Sequence, residues 1–288
     1  MTELRPLRSV LYIPASKTSA LQKAVDLPAD AIIFDLEDAV APDQKDDARK
    51  ALVANLREAD HGARMRIVRV NDADTEWGAA DVTAVADLPI DALLVPKVNG
   101  PDDVARVAGA LTGPTRVWAM METAEGILNA ASIARAPGIG GFVLGTNDLA
   151  EELGCRPGPD RLPLMTALQT CLLAARMAGI PCIDGVYNAF RDEDGLRAEC
   201  VQGRNFGMDG KSLIHPGQIA VANEVFAPSD MEIELARRQI AAYESATARG
   251  QGVAVLDGRI VENLHVESAR RTLARADAIA GAEARTWV

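Results

Sequence analysis

The sequence predicts an α/β protein built on a closed (β/α)8 barrel, also called a TIM barrel, and two observations support this fold class. Short apolar runs rich in β-branched residues recur along the chain, and segments with helix-spaced apolar residues separate them. The chain holds eight such runs, and eight parallel strands close into a barrel. An open doubly wound sheet is the alternative, but it usually has fewer strands, and no GxGxxG motif follows the first run.

Each predicted strand is a short run with a clear end. The segments between the runs carry the periodicity of helices, and many begin with Ser, Pro or Asp, which suit a helix start. We therefore expect strands and helices to alternate. The eight runs are SVLYIP at 9–14, AIIFDL at 31–36, MRIVRV at 65–70, DALLVP at 91–96, RVWAMM at 116–121, GFVLG at 141–145, IPCIDG at 180–185 and MDGKSLIHP at 208–216.

The residues after the eighth unit predict a separate extension. We expect a barrel domain at 1–226 and, at 227–288, a helix, a β-hairpin and a second helix. The hairpin is predicted for GVAVLDGRIVENL, because Asp257-Gly258 is a dipeptide favoured in a tight I′ turn. Such an extension cannot bury a core alone, so we expect it to pack as a lid on a barrel rim or on a neighbouring subunit.

Composition and charge narrow the class of protein. The 288 residues carry a net charge of -11, and no segment gathers basic residues into a stripe, so nucleic acid is not an expected partner. No run of 18 apolar residues occurs, and the first residues lack the apolar region of a signal peptide. The four cysteines show no metal-ligand spacing. We expect a cytoplasmic protein with reduced thiols and no membrane partner.

Polar side chains follow every predicted strand, at the end where barrel enzymes carry their active sites. Each one alone also fits a structural role such as a helix cap or an ion pair, but their coincidence at one rim indicates a catalytic site. In chain order these residues are Tyr12, Ser16 and Lys17, then Asp35, Glu37 and Asp38, then Arg69 and Asn71, then Lys97, then Glu122, then Thr146, Asn147 and Asp148, then Asp184, and finally Lys211 and His215.

The acidic residues at this rim predict a magnesium site. Oxygen ligands without nearby His or Cys suit Mg²⁺, which usually takes one or two carboxylates and completes its coordination with water and substrate. Glu122 and Asp148 follow adjacent strands and are the predicted ligands. Glu37 and Asp38 are predicted to accept hydrogen bonds from metal-bound waters, which would explain why carboxylates crowd after an apolar strand.

Three lysines are predicted to form a basic edge beside the metal. Lys17, Lys97 and Lys211 each follow a strand, and a local group of cations can hold phosphates although the chain as a whole is acidic. The structural alternative for each is a solvated surface lysine. His215, in SLIHPGQ, is expected to be structural.

Several of these stretches together resemble the citrate lyase β-subunit-like family of CoA-ester lyases, relatives of the HpcH/HpaI aldolases. The motifs are SVLYIPAS, IIFDLEDAV, RIVRVN, LLVPKV, METAEGI, GTNDLA and DGKSLIHPGQ, in this order along the chain. Three further stretches, VNDADTEWG, DGVYNAFRDEDGLRAEC and GQGVAVLDGRIVENLH, are most similar to the malyl-CoA thioesterase branch of the family.

The resemblance implies roles for individual residues. It implies that Glu122 and Asp148 hold Mg²⁺, with Mn²⁺ as an alternative ion, and that Arg69 contacts substrate oxygens. It implies that Lys17 and Lys97 lie along the CoA. We assign the remaining rim residues at the mouth to substrate binding, and we expect a homo-oligomer, a trimer or a hexamer. The remaining substrate-binding assignments are Tyr12, Gly145, Thr146 and Asn147.

The resemblance also implies a reaction on a short β-hydroxyacyl-CoA. Related lyases carry an Asp just after the hairpin, where this sequence has Glu262, which favours hydrolysis of (3S)-malyl-CoA to (S)-malate and CoA with Glu262 as general base. Carbon-carbon cleavage of malyl-CoA or citramalyl-CoA to acetyl-CoA and a 2-oxo acid is the alternative. A CoA-independent aldolase, a carrier-linked lyase subunit and a non-catalytic scaffold are further alternatives.

Overall fold

The computed structural model describes residues 5–286, and these residues form two compact units. One unit is Leu7–Phe226, and the other is made of the described residues on either side of it. The first unit is a closed barrel in which each strand is hydrogen-bonded to the next and β8 returns to β1. The predicted (β/α)8 barrel is therefore confirmed, and the open-sheet alternative is wrong.

The barrel strands are all parallel and each is short. They are β1 Ser9–Pro14, β2 Ala31–Asp35, β3 Met65–Arg69, β4 Ala92–Val95, β5 Arg116–Met121, β6 Ile139–Leu144, β7 Cys182–Asp184 and β8 Gly210–Leu213.

Helices follow the strands on the outside of the barrel. They are α1 Thr18–Lys23, α2 Lys45–Glu58, α3 Gly78–Val85, α4 Pro101–Ala108, α5 Ala124–Leu128, α6 Ala130–Ile133, α7 Thr146–Glu152, α8 Met165–Ala178, α9 Glu193–Phe206 and α10 Ile219–Phe226.

Alternate residues of each strand face opposite sides of the barrel wall. In β2, Ala31 and Ile33 belong to the core inside the barrel, whereas Ile32 and Phe34 pack in the layer between strands and helices. Because this alternation continues along each strand, the last inward-facing residue of a strand lies at the mouth of the barrel, where the carboxyl ends of the strands meet. The barrel interior is filled by side chains and is not a channel.

The second unit contains two helices and a hairpin, α11 Asp230–Ala248, β9 Ala254–Leu256, β10 Arg259–Val261 and α12 Asn263–Thr286. Asp257 and Gly258 have φ values of 48° and 74°, the positive values that a I′ turn requires, so the predicted hairpin is confirmed. Arg238 donates to both carboxylate oxygens of Asp257, at 2.6 and 2.8 Å. Ala246, Ala254, Val261 and Val266 form the small core of this unit. Between residues 5 and 286, none of the helices has the length and apolar character needed to cross a bilayer.

Candidate active site

Arg69 occupies the centre of a buried charge group at the mouth of the barrel. It lies beside Asp35 in the register of β2 and β3, and both residues face inward. Nε and Nη2 of Arg69 donate to Oδ1 and Oδ2 of Asp35 at 2.8 and 2.7 Å, a bidentate pair. The guanidinium carbon also lies 5.0 Å from the ring centroid of Tyr12. The predicted substrate residues Tyr12 and Arg69 are therefore neighbours.

Glu37 and Asp38 share the third guanidinium nitrogen of Arg69. Nη1 lies 2.7 Å from Oε2 of Glu37 and 3.4 Å from Oδ2 of Asp38. Burial is the largest cause raising the pKa of Glu37 to about 8, against the lowering effect of Arg69. We expected metal-bound waters to make this carboxylate cluster tolerable. In the structure Arg69 supplies compensating charge to the cluster, and the role of Glu37 and Asp38 toward metal-bound waters stays a prediction.

Glu122 and Asp148 lie together, as the strand order predicts. Glu122 follows β5 directly and is 2% exposed, and its Oε1 accepts a hydrogen bond of 2.8 Å from the main-chain N–H of Lys97. Its carboxylate packs on Gly145, where an added Cβ would lie 2.3 Å from Oε2, so only glycine fits. Asp148 lies in the first turn of α7 and is half-buried. A cavity of ≈ 330 Å³, here called the rim cavity, is lined by Lys97, Glu122, Thr123, Asp148, Glu151 and Glu152.

The donor set of the rim cavity fits Mg²⁺. Burial is the largest cause raising the pKa of Glu122 to about 7, and the negative charge of Asp148 raises it further. Two carboxylates that repel each other at one cavity are relieved by a divalent cation. No group of three or more His, Cys, Asp or Glu is arranged for a metal within residues 5–286. The protein's share would thus be the two carboxylates, which is the usual share for Mg²⁺.

The predicted lysines do not form one basic edge. Lys17 and Lys97 are exposed, and Lys97 lines the rim cavity. Lys211 is fully buried, pairs with Asp184 and Glu199, and is in register with Ser9 and Asp184 on the outer side of the barrel wall. Its assignment to the basic edge is wrong, because the alternation of β8 directs its side chain toward the helices.

The remaining predicted residues lie near the start of α7 and after β8. Gly145 precedes α7, Thr146 is buried, and Asn147 is exposed and exchanges amide hydrogen bonds of 2.8 and 3.3 Å with Asn188. His215 accepts a hydrogen bond at Nδ1 from the N–H of Gly217, which is the structural role expected for it.

Three cavity residues were missed by the sequence analysis. Thr123 directly follows Glu122, and Glu151 and Glu152 lie three and four residues after Asp148. This spacing places them on the same face of a helix as Asp148, so helical periodicity beyond the strand end would have found them. Glu152 also accepts a hydrogen bond of 3.0 Å from the N–H of Ala124.

Glu262 lies in the second compact unit, directly after β10, with an exposed side chain. Its N–H donates to Nδ1 of His265 at 3.0 Å, and its carbonyl accepts from the N–H groups of His265 and Val266. Val261 and Val266, on either side, are buried in the core of the unit. The backbone that carries Glu262 is therefore held at the junction of hairpin and helix.

A closed (β/α)8 barrel with a carboxylate-lined cavity at the carboxyl ends of its strands defines a class, the barrel enzymes that place polar groups of several strands around one mouth. Family comparison makes this class specific. The family model HpcH/HpaI aldolase/citrate lyase matches residues 8–216. The chain belongs to this family.

Individual relatives cover almost the whole chain. A (3S)-malyl-CoA thioesterase of Cereibacter sphaeroides (strain KD131 / KCTC 12085) is 62% identical over 278 residues, 96% of this chain and 97% of the relative. The citrate lyase subunit beta of Escherichia coli (strain K12) is 35% identical over 284 residues, 95% and 94% of the two chains. Both relatives are enzymes.

Solved structures share the fold. The CitE protein from Mycobacterium tuberculosis, in complex with magnesium, acetoacetate and coenzyme A, is 31% identical with a TM-score of 0.79, covering 93% of this chain and 97% of that one. A citrate lyase beta subunit from M. tuberculosis complexed with oxaloacetate and magnesium is 33% identical with a TM-score of 0.68, covering 77% of this chain and 99% of that one.

Proposed function

We propose that this chain is a Mg²⁺-dependent enzyme that hydrolyses (3S)-malyl-CoA to (S)-malate and CoA. The observation that carries the proposal is the 62% identity, over nearly the full length of both chains, to a relative named for this activity. The rim cavity supports it physically, because the buried carboxylate of Glu122, the half-buried carboxylate of Asp148 and an exposed lysine stand at one opening. The chain is an enzyme of its family, and the substrate is the part proposed here.

Glu122 and Asp148 are the residues that would hold the ion. When bound, Mg²⁺ supplies positive charge to substrate oxygens, which stabilises negative charge as it develops there. The magnesium named in the CitE complexes supports this choice, and Mn²⁺ stays a prediction. Asp38 is the better acceptor for metal-bound water, since its side chain is 68% exposed, whereas the Glu37 side chain is 11% exposed and lies against Nη1 of Arg69.

The substrate would bind with its acid part in the rim cavity and its CoA part along the exposed lysines. Lys97 stands at the cavity and Lys17 is exposed after β1, so their ammonium groups are free to pair with CoA phosphates. Gly145 precedes α7 and its N–H donates to the carbonyl of Met121, so the main-chain N–H groups of Thr146 and Asn147, in the first turn, are the ones that suit a carboxylate.

We assign Arg69 to stabilise negative charge on the substrate and not to bind the substrate through a bidentate hydrogen-bonded pair. Asp35 occupies Nε and Nη2, and Nη1 lies against Glu37 and Asp38, so each of the three guanidinium nitrogens already has an acidic neighbour. Since Arg69 is 6% exposed, its charge acts in a poorly solvated region where an electrostatic interaction is stronger than in water.

Glu262 is the proposed general base. It takes a proton from water as the water oxygen bonds to the thioester carbonyl carbon, the C–S bond then breaks, and the proton passes to the departing CoA sulfur. The backbone bonds around Glu262 support a fixed main chain at this position.

We also propose that the chain works as a homo-oligomer, a trimer or a hexamer, in the cytoplasm. Support comes from apolar side chains exposed on and after the hairpin, Val255 at 71%, Ile260 at 61% and Leu264 at 60%. Light scattering on the wild type and on the double variant Val255→Asp and Ile260→Asp tests this, because a monomeric wild type would contradict it.

Calorimetric titration with Mg²⁺ tests the metal assignment. Glu122→Gln and Asp148→Asn should each weaken Mg²⁺ binding by more than about tenfold, because each removes one of the two protein ligands. Glu151→Gln removes an unassigned carboxylate from the same cavity and is the matched control. Equal losses in all three variants would mean that general negative charge, and not a defined site, attracts the ion.

Carbon-carbon cleavage to acetyl-CoA and a 2-oxo acid is the second candidate. The 35% identity to citrate lyase subunit beta favours it. Purified chain that turns over free malyl-CoA would exclude dependence on a carrier. Lys17→Ala combined with Lys97→Ala should raise KM for the CoA ester but leave a CoA-independent aldolase unaffected.

A further inference from the structure

We propose that a buried group of four charged residues outside the barrel wall positions Asp148, and that it acts through Gly185 and Thr146. The group, here called the buried quartet, consists of Arg161, Asp184, Glu199 and Lys211. The inference rests on the proposed function in one respect, the assignment of Asp148 as a metal ligand. None of the four residues touches the rim cavity.

The buried quartet is balanced and closely paired. Nη1 of Arg161 donates to Oδ1 of Asp184 at 2.7 Å, and Nζ of Lys211 lies 2.6 Å from Oε1 of Glu199 and 3.4 Å from Oδ2 of Asp184. Asp184 and Lys211 are fully buried. Burial raises the pKa of Asp184, but Lys211 and Arg161 outweigh it, and the pKa lies below its usual range. Two positive and two negative charges compensate one another without an outside ion.

Stability alone is a weak reason for four buried charges. Desolvation of buried ions offsets most of their attraction, and apolar residues of similar volume often serve as well or better. What a charged group adds is directional hydrogen bonding. The buried quartet is therefore significant for the backbone that its hydrogen bonds hold.

It holds the peptide groups on both sides of Gly185. Oδ1 of Asp184 accepts from the N–H of Gly185 at 2.8 Å, and Nζ of Lys211 donates to the carbonyl of Gly185 at 2.5 Å. The main chain at Gly185 is thus fixed by β7 on one side and by β8 on the other.

Gly185 in turn supports the first residue of α7. A Cβ added at Gly185 would lie 2.3 Å from Oγ1 and 2.6 Å from Cγ2 of Thr146, so the two residues touch without slack. Asp148 is two residues further along the same turn. The amide hydrogen bonds between Asn147 and Asn188 brace the same junction.

The connection after α7 returns to the buried quartet. Arg161 has a left-handed φ of 52°, and its Nε donates to Oε1 of Gln202 at 2.8 Å. Gln202 donates to the carbonyl of Asp160 at 2.7 Å. The start of the helix that carries Asp148 is therefore held through Gly185, and the far end of the connection that follows this helix is held through Arg161.

A steric variant and its suppressor test the inference without touching any charge. Gly185→Ala forces Thr146 to move, so Mg²⁺ affinity, measured by calorimetry without any CoA ester, should fall by about tenfold, as for loss of a residue that orients a metal ligand. Thr146→Ala removes the two obstructing atoms, so the double variant should bind Mg²⁺ nearly as well as Thr146→Ala alone. Unchanged affinity in Gly185→Ala, or no recovery in the double variant, would overturn the inference.

A charge variant and a control complete the test. Lys211→Met removes the hydrogen bond to Gly185 and should weaken Mg²⁺ binding similarly in protein shown to be folded by its circular dichroism. Arg176→Ala removes the exposed pair with Asp209, 2.9 Å apart, and should leave Mg²⁺ affinity unchanged. If Asp148→Asn does not weaken Mg²⁺ binding, the proposed metal site fails. If Asp148→Asn weakens it and Gly185→Ala does not, only the positioning role fails.

Discussion

The main-chain N–H of Lys97 donates a hydrogen bond of 2.8 Å to Oε1 of Glu122, and Lys97 itself has a left-handed backbone conformation with a φ of 50°. This conformation is unfavourable for a residue with a Cβ, and strained residues of this kind cluster at functional sites. Lys97 therefore has two separable features, a backbone that orients Glu122 and a side chain that stands at the rim cavity.

Replacing Lys97 by Gly or by Ala separates these features. Both variants lose the ammonium group, so KM for malyl-CoA should rise by about tenfold in each, as for loss of one charged hydrogen bond. Mg²⁺ affinity should change little, since the main-chain donor remains. Lys97→Gly should be more stable than Lys97→Ala by about 1 kcal/mol in urea unfolding, because Gly adopts positive φ freely. Equal stabilities would show that the left-handed conformation is not enforced.

Removal of the Arg69 guanidinium should destabilise the barrel. Arg69→Met leaves Asp35 and Glu37 without their buried cation, and loss of one partner of a buried pair costs about 3–5 kcal/mol. Urea unfolding measures this loss. Adding Asp35→Asn should recover part of it, because the amide removes the uncompensated charge. A double variant no more stable than Arg69→Met would contradict the assignment of Arg69 as the compensating cation.

His61 should make stability depend on pH. It is 2% exposed and meets Phe34 edge-on at 5.2 Å, and neither ring nitrogen has a hydrogen-bond partner among the described residues. Burial is the largest cause lowering the pKa of His61, and Arg66 and Arg64 lower it further against the opposing effect of Asp60. The unfolded chain therefore binds this proton more readily than the folded protein does.

The sign of the His61 effect follows from this difference. The stabilising contribution of neutral His61 is intact above its ordinary pKa of about 6.5 and is lost as the pH falls toward the lowered value. In urea unfolding at pH 8, the free energy of unfolding of His61→Phe should exceed that of wild type by about 1 kcal/mol, because buried ring nitrogens without hydrogen-bond partners are removed. The advantage should grow at pH 5. An equal difference in the free energy of unfolding between His61→Phe and wild type at both pH values would refute the prediction.

Loss of the Glu262 carboxylate should affect chemistry more than binding. Glu262→Ala should lower kcat for hydrolysis by about 10²–10⁴-fold, the usual contribution of a general base, with little change in KM. Asn263→Ala, which removes the neighbouring exposed amide and its 3.0 Å hydrogen bond to Glu267, is the matched control. Native turnover by Glu262→Ala would leave the hairpin with a structural role only.

The sequence predicted the barrel because the signals for its strands are local. β-branched runs, turn residues and the Asp257-Gly258 dipeptide each act over a few residues, and the structure places strands at all eight runs. The proximity of Glu122 and Asp148 could also be predicted from the sequence, because adjacent strands of a barrel end side by side.

The side of the barrel wall on which a polar residue falls was harder to predict. Both faces of a barrel strand are buried and apolar, so the alternation that marks inside and outside is hidden in the sequence. Ile183 faces the interior and Asp184 the helices, and Lys211 follows Asp184 by register. Only the pairing of β7 with β8 shows that Asp184 and Lys211 belong to the buried quartet and not to the mouth of the barrel.

Lys45 shows the same limit for helices. In KDDARKALVANLRE it is surrounded by charged residues and resembles a solvated lysine. Its Nζ is nevertheless buried and donates to the carbonyls of Leu36 and Glu37 and to Oδ1 of Asn71, at 2.9, 2.8 and 2.6 Å. Lys45 thereby holds the loop that carries Glu37 and joins it to Asn71, and the helical pattern around Lys45 does not predict these contacts.

The products formed from (3S)-malyl-CoA by the purified chain with Mg²⁺ test the central claim most directly. Release of free CoA thiol should be matched by an equal amount of malate, and it should stop when EDTA removes the ion. Accumulation of acetyl-CoA and glyoxylate without malate, or thiol release that EDTA does not affect, would contradict the account.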